Sequence, residues 1–421
     1  MNLRLLASSA ALFALVWSPS PSPAVDLVGQ SRTYVQSREA IDTSRLVPFF
    51  EYLDFRVGDI GSSNVSFNFG GWLRYDLKDD STPNKDKNSD LQYAYLSVRG
   101  DRADSALNLG RIRVHEGASS SLVDGALAKT ALLGGFGIAA YGGSPAETDF
   151  DGRSGDSVYG GRISHSVENL YRVGVSYMKE RNNSTDFREE EGIDLWLRPV
   201  NKVDLVGDSS YNALNHAWAK HAYYLTLGQF GPLALRTEYT QVSYQDYFTS
   251  PTTSAFKFDP TIIDPNEKLT SAGEEASLQF GNFTATADYK KFKYEIAGDA
   301  TYYGGKVAYS SSLKGGLGAA FHRMYGERDA LRYAEYRAYG FTSFGSLSLT
   351  ADYLLVKYDV EINGVTNATA AVFAAGYALT PKAKLGADLE YDKNPYFNRD
   401  VRGMVKFAYA FDLMPAAPGR K

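Results

Sequence analysis

Residues 64–77 read NVSFNFGGWLRYDL, in which apolar and polar side chains alternate. Val65, Phe67 and Phe69 share one parity, and Ser66 and Asn68 share the other. Successive side chains of a β-strand point to opposite faces, so this segment as a strand has one apolar and one polar face. The pattern predicts a strand that separates an apolar environment from water.

The same period of two returns along the whole chain. Further examples are 171–177, 193–198, 233–239, 283–290, 384–391 and 401–411. Apolar spacing typical of helices is rare, so the sequence predicts an all-β protein.

Two kinds of connection separate these segments and alternate along the chain. Short ones carry turn residues, as in Gly281-Asn282 and Phe344-Gly345-Ser346. Long polar ones occur at about 78–90, 144–156, 180–190, 209–220, 245–272, 293–301, 324–332, 358–370 and 393–400. Transmembrane barrels combine short periplasmic turns with long extracellular loops, whereas soluble sandwiches have no reason to do so. We therefore predict a closed antiparallel transmembrane β-barrel, because an open edge in lipid would leave backbone groups unpaired.

Strand length sets the expected size of the barrel. Strands of roughly 9 to 11 residues cross a bilayer, which gives about 20 strands here, within a range of roughly 18 to 22. An even number places both chain ends in the periplasm. The weakest assignments begin near residues 122 and 135, where glycines blur the alternation.

The N-terminus has the features of an export signal. Arg4 precedes an apolar run at 5–17, and Ala24 ends a stretch of small residues. We expect the mature protein in the bacterial outer membrane, in contact with its lipid. The predicted segments are a signal peptide, 1–24, a periplasmic N-terminal segment or plug, 25–63, the transmembrane barrel, 64–412, and a periplasmic tail, 413–421.

Composition excludes several functions. The chain of 421 residues has no cysteine, which removes disulfides, Cys-ligated zinc, iron–sulfur clusters and covalently bound c-type haem. A net charge of −5 gives no basic field for nucleic acid. The five histidines are scattered, and no nucleophile, phosphate-binding or metal-binding motif is present. We expect no cofactor on this chain and no enzymatic activity.

The polar parity of the strands predicts the lining of a lumen. Both signs of charge are mixed there, which predicts poor charge selectivity. The candidate pore-lining residues are Arg74, Asp76, Arg111, Arg113, Arg172, Asp194, Arg198, Arg236, Glu238, Asp288, Lys290, Lys306, Asp352, Lys384, Asp388, Arg402 and Lys406. Connection 115–121 is either a constriction folded into the lumen or an external loop, and the external loop is favoured.

The last strand resembles the carboxy-terminal assembly signal of outer-membrane proteins, a glycine followed by aromatic residues at alternate positions. The residues are Gly403, Phe407, Tyr409 and Phe411. The resemblance implies the barrel assembly machinery as a partner. The glycine stands one position further from the first aromatic than in the usual signal, and the chain continues beyond the last one.

A second resemblance concerns 109–111, 122–125 and 140–143, which read LGR, LVDG and AYGG. This stretch resembles large porin-type outer-membrane proteins of Gram-negative bacteria. It is also similar to the barrels that surround multihaem cytochromes in porin–cytochrome conduits. The resemblance to porin-type proteins implies a channel for small solutes, and this function is favoured. The resemblance to the conduit barrels implies a passive sheath for transmembrane electron transfer, with multihaem c-type cytochromes as partners that supply the haem.

Overall fold

The computed structural model of the protein describes most of the chain. The described residues are 26–39, 45–60, 62–78, 87–100, 104–117, 119–146, 156–248, 264–311, 315–396 and 399–413. The predicted signal peptide and the tail beyond Leu413 lie outside them. Among these residues, no helix is long and apolar enough to span a bilayer.

Antiparallel strands form nearly all of the described chain. They are β1 (Asp26–Glu39), β2 (Arg45–Leu46), β3 (Pro48–Gly58), β4 (Val65–Asp76), β5 (Lys87–Arg99), β6 (Ala106–Glu116), β7 (Ser119–Ala131), β8 (Phe136–Pro145), β9 (Ser157–Val167), β10 (Tyr171–Asn182), β11 (Thr185–Val200), β12 (Val203–Asn212), β13 (Ala217–Phe230), β14 (Leu233–Ser243), β15 (Lys268–Phe280), β16 (Phe283–Tyr294), β17 (Gly298–Ser311), β18 (Gly315–Gly326), β19 (Tyr333–Phe344), β20 (Leu347–Ile362), β21 (Val365–Ala378), β22 (Ala383–Lys393) and β23 (Asp400–Leu413). The helical elements of the described part are a short helix, Tyr244–Phe248, and two 3-10 turns, Leu133–Gly135 and Asp329–Leu331.

The sheet closes on itself through its first and last strands. Thr33 of β1 lies opposite Glu51 of β3 on one side and opposite Phe407 of β23 on the other. Every other barrel strand pairs antiparallel with its two neighbours in the wall. Apart from the two-residue β2, 22 strands form one closed barrel. The predicted fold class is confirmed, with a strand number at the upper end of the expected range.

The first two long strands contradict the prediction for residues 25–63. β1 and β3 are part of the wall, so this segment is neither a plug nor a separate periplasmic segment, and the barrel begins well before residue 64. The alternation is hidden because the hydroxyls of Ser31 and Thr33 donate hydrogen bonds of 2.5 and 2.6 Å to Glu51. These partners let a carboxylate occupy a position where the period of two requires an apolar residue.

Both ends of the described chain lie at the same end of the barrel. We call the end that holds Asp26 and Leu413 the terminal rim, and the opposite end the loop rim. Connections at the terminal rim are short turns, for example 201–202 and 281–282. The loop rim carries the longest connection, 244–267. This asymmetry is the one predicted from the sequence and is typical of outer-membrane barrels.

Two predicted long connections are tight turns instead. Segment 180–190 turns at Asn183-Ser184, and segment 358–370 turns at Asn363-Gly364. The four residues have φ angles of 49°, 65°, 50° and 80°. Positive φ at both central residues is the requirement of a type I′ hairpin turn, and Asn-Gly is its preferred dipeptide. The flanking polar residues therefore continue the strands, because polarity marks contact with water and not the end of a strand.

Two buried carboxylates tie neighbouring connections together at the loop rim. Asp246 accepts a 2.8 Å hydrogen bond from the Asn215 amide. Glu267 accepts hydrogen bonds of 3.0 and 2.8 Å from the backbone N–H groups of Ile296 and Ala297. The described part of the longest connection is thus held by both of its neighbours.

The two faces of the wall differ in chemistry. In β10, Val173 and Val175 are 44% and 56% exposed, whereas the alternate residues Ser176 and Met178 are buried. Large apolar side chains such as Leu389 are exposed in the same way around the barrel. An apolar outer surface of this kind faces hydrocarbon. The other parity faces the lumen.

Candidate functional site: the barrel lumen

Most of the polar residues predicted to line a pore lie on the inner face. Their parity is opposite to that of exposed apolar residues in the same strands, such as Ile193 and Tyr289. The predicted residues on this face are Arg74, Asp76, Arg172, Asp194, Arg198, Arg236, Glu238, Asp288, Lys290, Lys306, Asp352, Lys384, Asp388, Arg402 and Lys406. That a solute contacts them stays a prediction.

Arg111 and Arg113 do not share this parity. They alternate with Ile112 and fall in the same series as Leu107 and Leu109, which are exposed. Arg111 holds a position in the hairpin itself, since its guanidinium makes two hydrogen bonds of 2.7 Å to Asp124. The outer-face parity applies only as far as the strand stays in the wall: beyond Gly110 the hairpin lies inside the barrel, where Ile112 and Val114 are buried against the wall and the alternate residue Arg113 is exposed toward the lumen.

The inner face carries many ion pairs, all but one of the following between neighbouring or next-neighbouring strands; Arg74 and Asp76 pair within β4. Pairs on this face are Arg74 with Asp76, Arg162 with Asp194, Arg198 with Asp204, Lys220 with Asp208, Lys290 with Glu238, Arg337 with Asp352, and Lys406 with Asp388. The sequence missed Arg162, Asp204, Asp208, Lys220 and Arg337. Only the register between strands places them beside their partners, and the period of a single strand does not fix that register.

Glycines leave room for pairs that reach across a strand. Gly273 of β15 lies between Glu238 and Lys290, which pair over it. Gly174 of β10 lies beside the Arg162–Asp194 pair, whose two hydrogen bonds measure 2.9 and 2.5 Å. A glycine at these positions has no side chain, so it leaves the space in which the two charged side chains meet.

Gly174→Val is expected to destabilise the barrel. A Cβ at this position would lie 2.5 Å from Nη2 of Arg162 and 2.7 Å from Oδ1 of Asp194, so the pair must separate. Two half-buried charges would lose their hydrogen bonds, at a cost of about 2 kcal/mol. The measurement is the midpoint of thermal unfolding of the purified barrel in detergent. Gly386→Val is the matched control, because its Cβ meets no atom closer than 3.4 Å; an equal fall in both variants would contradict this explanation.

The hairpin between β6 and β7 lies inside the barrel. We call its end, residues 112–117 and 119–122, the inner flap. Ile112 and Val114 are 2% and 1% exposed and belong to one apolar cluster with Tyr141 and Met178. Tyr141 and Met178 face inward, because the alternate residues of their strands are exposed on the outer surface. Apolar contact therefore holds the inner flap against the inner wall.

Polar contacts fix the tip of the inner flap to β10 and β11. Arg188 donates from Nη1 to the carbonyl oxygen of Ser120 over 3.1 Å, and it also holds Glu190 with hydrogen bonds of 2.6 and 2.7 Å. At Gly117 the hairpin is so close to Ser176 that a Cβ would collide with its side chain.

This position decides between the two readings of connection 115–121. The hairpin folds inward, so the favoured external loop was wrong; that it constricts a pore stays a prediction. Pairing between β5 and β6 ends at Ala94 and Arg111. Gly110, with a φ of 129°, provides the backbone conformation at which β6 turns away from β5. The hairpin must then bury Ile112 and Val114, and the inner wall offers the apolar surface.

No metal site accompanies this arrangement in the part of the chain that the structure describes: no three His, Cys, Asp or Glu side chains there could jointly hold an ion.

Comparison with known proteins adds support for the fold. No protein-family model and no curated protein matches the sequence. Among solved structures, the siderophore receptor PirA from Pseudomonas aeruginosa is similar with a TM-score of 0.57 and 11% identity, over 94% of this chain and 81% of that chain. OccAB2 from Acinetobacter baumannii has a TM-score of 0.47 and 11% identity, over 92% and 98%. OccK8 (OprE) from Pseudomonas aeruginosa has 0.45 and 9%, over 93% and 98%.

The likeness to PirA, at 11% identity, concerns the fold alone. The closed antiparallel sheet and the apolar outer surface lead to the same conclusion from within the chain. The chain forms a closed antiparallel transmembrane β-barrel of 22 strands, the architecture of outer-membrane barrels.

Proposed function

We propose that the protein is a channel through which small solutes cross the outer membrane. The observation that carries this proposal is the inner flap, seated against one sector of a polar inner wall. The described buried residues of the apolar cluster around Val114 belong to β6–β10, with Tyr95 of β5 packed against them. The remaining inner face carries ion pairs, whose charged groups require water or further polar partners. A polar lumen narrowed from one side is the arrangement of a diffusion pore. The terminal rim then faces the periplasm and the loop rim faces the exterior.

The paired charges also indicate how such a pore treats ions. Arginine and lysine alternate with aspartate and glutamate from strand to strand, so no ring of one sign lines the described inner face. Selectivity by charge requires such a ring. The channel is therefore expected to pass cations and anions with little preference.

Conductance across a planar bilayer tests the proposal. The purified barrel is expected to insert in discrete steps, with a reversal potential close to zero in a gradient of potassium chloride. A silent protein would contradict the channel function. Haem-staining protein that co-purifies in mild detergent, together with electron transfer into proteoliposomes, would favour the sheath for a multihaem cytochrome instead.

A further inference from the structure

A recess of about 390 Å³ opens on the inner face, away from the inner flap. Six of the residues that line it are Arg32, Tyr34, Gln36, Phe50, Tyr52 and Gln92. They belong to β1, β3 and β5, whereas the inner flap lies against β8–β11. The volume is within the usual range of sites for small ligands.

Register places the aromatic rings of this recess on the lumen side. Tyr34 lies opposite Phe50 and Lys406, and Tyr52 lies opposite Trp72. The alternate residues of the same strands, for example Leu73, are exposed on the outer surface. These rings therefore do not serve as lipid-facing residues.

The rings form one continuous surface. Tyr34 meets Tyr52 edge to face at 5.5 Å between centroids, and Phe50 stacks beside Tyr52 at 6.2 Å with an interplanar angle of 23°. Trp72 lies 6.5 Å behind Tyr52. All four rings are only half-buried. A contiguous apolar surface in an otherwise polar lumen has a free-energy cost in water and marks a binding surface.

Polar groups at the edge of the rings are balanced in charge. The Arg32 guanidinium lies 5.7 Å over the Tyr52 ring and pairs with Asp54 at 3.3 Å. The amides of Gln36 and Gln92 line the recess and have no hydrogen-bond partner among the described residues. A side-chain amide both donates and accepts. The recess thus offers flat apolar faces and neutral donors and acceptors.

We propose that this recess binds a neutral carbohydrate during passage through the lumen, an inference that rests on the proposed channel function. A sugar ring has C–H groups on its faces and hydroxyls at its edge. The C–H groups suit the negative faces of aromatic rings, and the hydroxyls suit the two amides. An aromatic carboxylate is less well matched, because Arg32 already holds the carboxylate of Asp54.

The test measures binding and conductance separately on the same purified barrel. Neutral glucose oligosaccharides are titrated while tryptophan fluorescence is followed, because Trp72 is next to Tyr52. Saturable binding is expected, with brief interruptions of single-channel current at the same concentrations. Tyr52→Ala should weaken binding by about tenfold or more. Tyr52→Phe keeps the ring and should retain binding.

Controls separate loss of the recess from loss of the fold. Tyr75→Ala removes a ring from the other face of β4 and should leave binding unchanged. Gln92→Leu tests the hydroxyl contacts without removing an aromatic side chain, and it should weaken binding. Each variant must first migrate as a folded barrel in unheated detergent gels.

The outcomes distinguish the two proposals. A channel that conducts but shows no saturable binding of neutral sugars overturns the carbohydrate site and leaves the channel intact. Binding of benzoate in place of sugar, abolished by Tyr52→Ala, also overturns it in favour of an aromatic anion. Sugar binding by a barrel that never conducts supports the recess and overturns the channel function.

Discussion

Val114→Asp is expected to open the channel by releasing the inner flap. Val114 is 1% exposed, in contact with the apolar cluster that includes Met178 and Val123. A carboxylate there loses its hydration without gaining a partner. Burying an unpaired charge in this way costs on the order of several kcal/mol. Undocking removes that cost, because the hairpin end can leave the cluster while the wall stays paired. Single-channel conductance should rise by roughly twofold or more.

The barrel itself should survive this substitution. β6 pairs with β5 only from Ala106 to Arg111, and β7 pairs with β8 only from Val123 onward. The inner flap lies beyond both pairings, so its release breaks no strand pair of the wall. Unheated detergent gels and circular dichroism check that the variant is folded before conductance is compared.

His115→Asp is the matched control for the released flap. His115 is in the same hairpin, one residue away, but is exposed. The new carboxylate is hydrated there, so the inner flap stays docked and conductance should match the parent. Equal conductance of the parent and Val114→Asp, with both folded, would show that the inner flap is not the constriction. Arg188→Ala removes the contact to Ser120 together with the two hydrogen bonds to Glu190 but leaves the apolar contacts of the inner flap in place, so it should give an intermediate increase.

The fold class follows from the sequence because every strand of the wall has hydrocarbon on one face and the polar lumen on the other. Hydrocarbon outside and polar groups inside impose a period of two, and segments such as 64–77 display it directly. Tight turns at the terminal rim are equally local, since Gly281-Asn282 carries its own turn chemistry. The same local logic fails for β1 and β3, where Ser31, Thr33 and Glu51 satisfy one another.

The lumen is less predictable because it is assembled from contacts between strands. The inner flap depends on a hairpin meeting the inner faces of β8–β11, which no property of 112–122 alone reveals. The recess depends on Tyr34, Tyr52 and Trp72 standing side by side in three strands. Their neighbours in the sequence are partly apolar, for example Val35, Leu53 and Leu73, so a single strand does not show which face the rings occupy. The register that joins them is a property of the closed sheet.

Gly29→Val is expected to destabilise closure of the barrel. Gly29 lies in β1 opposite Phe411 of β23 and Phe55 of β3. A Cβ there would lie 2.5 Å from the Asp54 carbonyl oxygen and 2.6 Å from both the Phe411 ring and the Phe55 Cβ. Both strands that flank β1 must then shift. Overpacking of this kind costs about 1–3 kcal/mol, which lowers the ratio of folded to unfolded barrel roughly 5- to 150-fold.

Gly403→Val provides the comparison at the same seam. Gly403 of β23 lies opposite Ser37 of β1, at the same closure. No atom lies within 4 Å of the position that its Cβ would take. Packing alone predicts that this variant folds like the parent in refolding from urea into detergent, while Gly29→Val does not.

Gly403, Phe407, Tyr409 and Phe411 also form the sequence that resembles an assembly signal. If that sequence acts only through the assembly machinery, Gly403→Val should lose yield in cells but not in refolding. An equal loss of refolding in both variants would contradict the role of space at Gly29, because only one of the two glycines has a neighbour to displace.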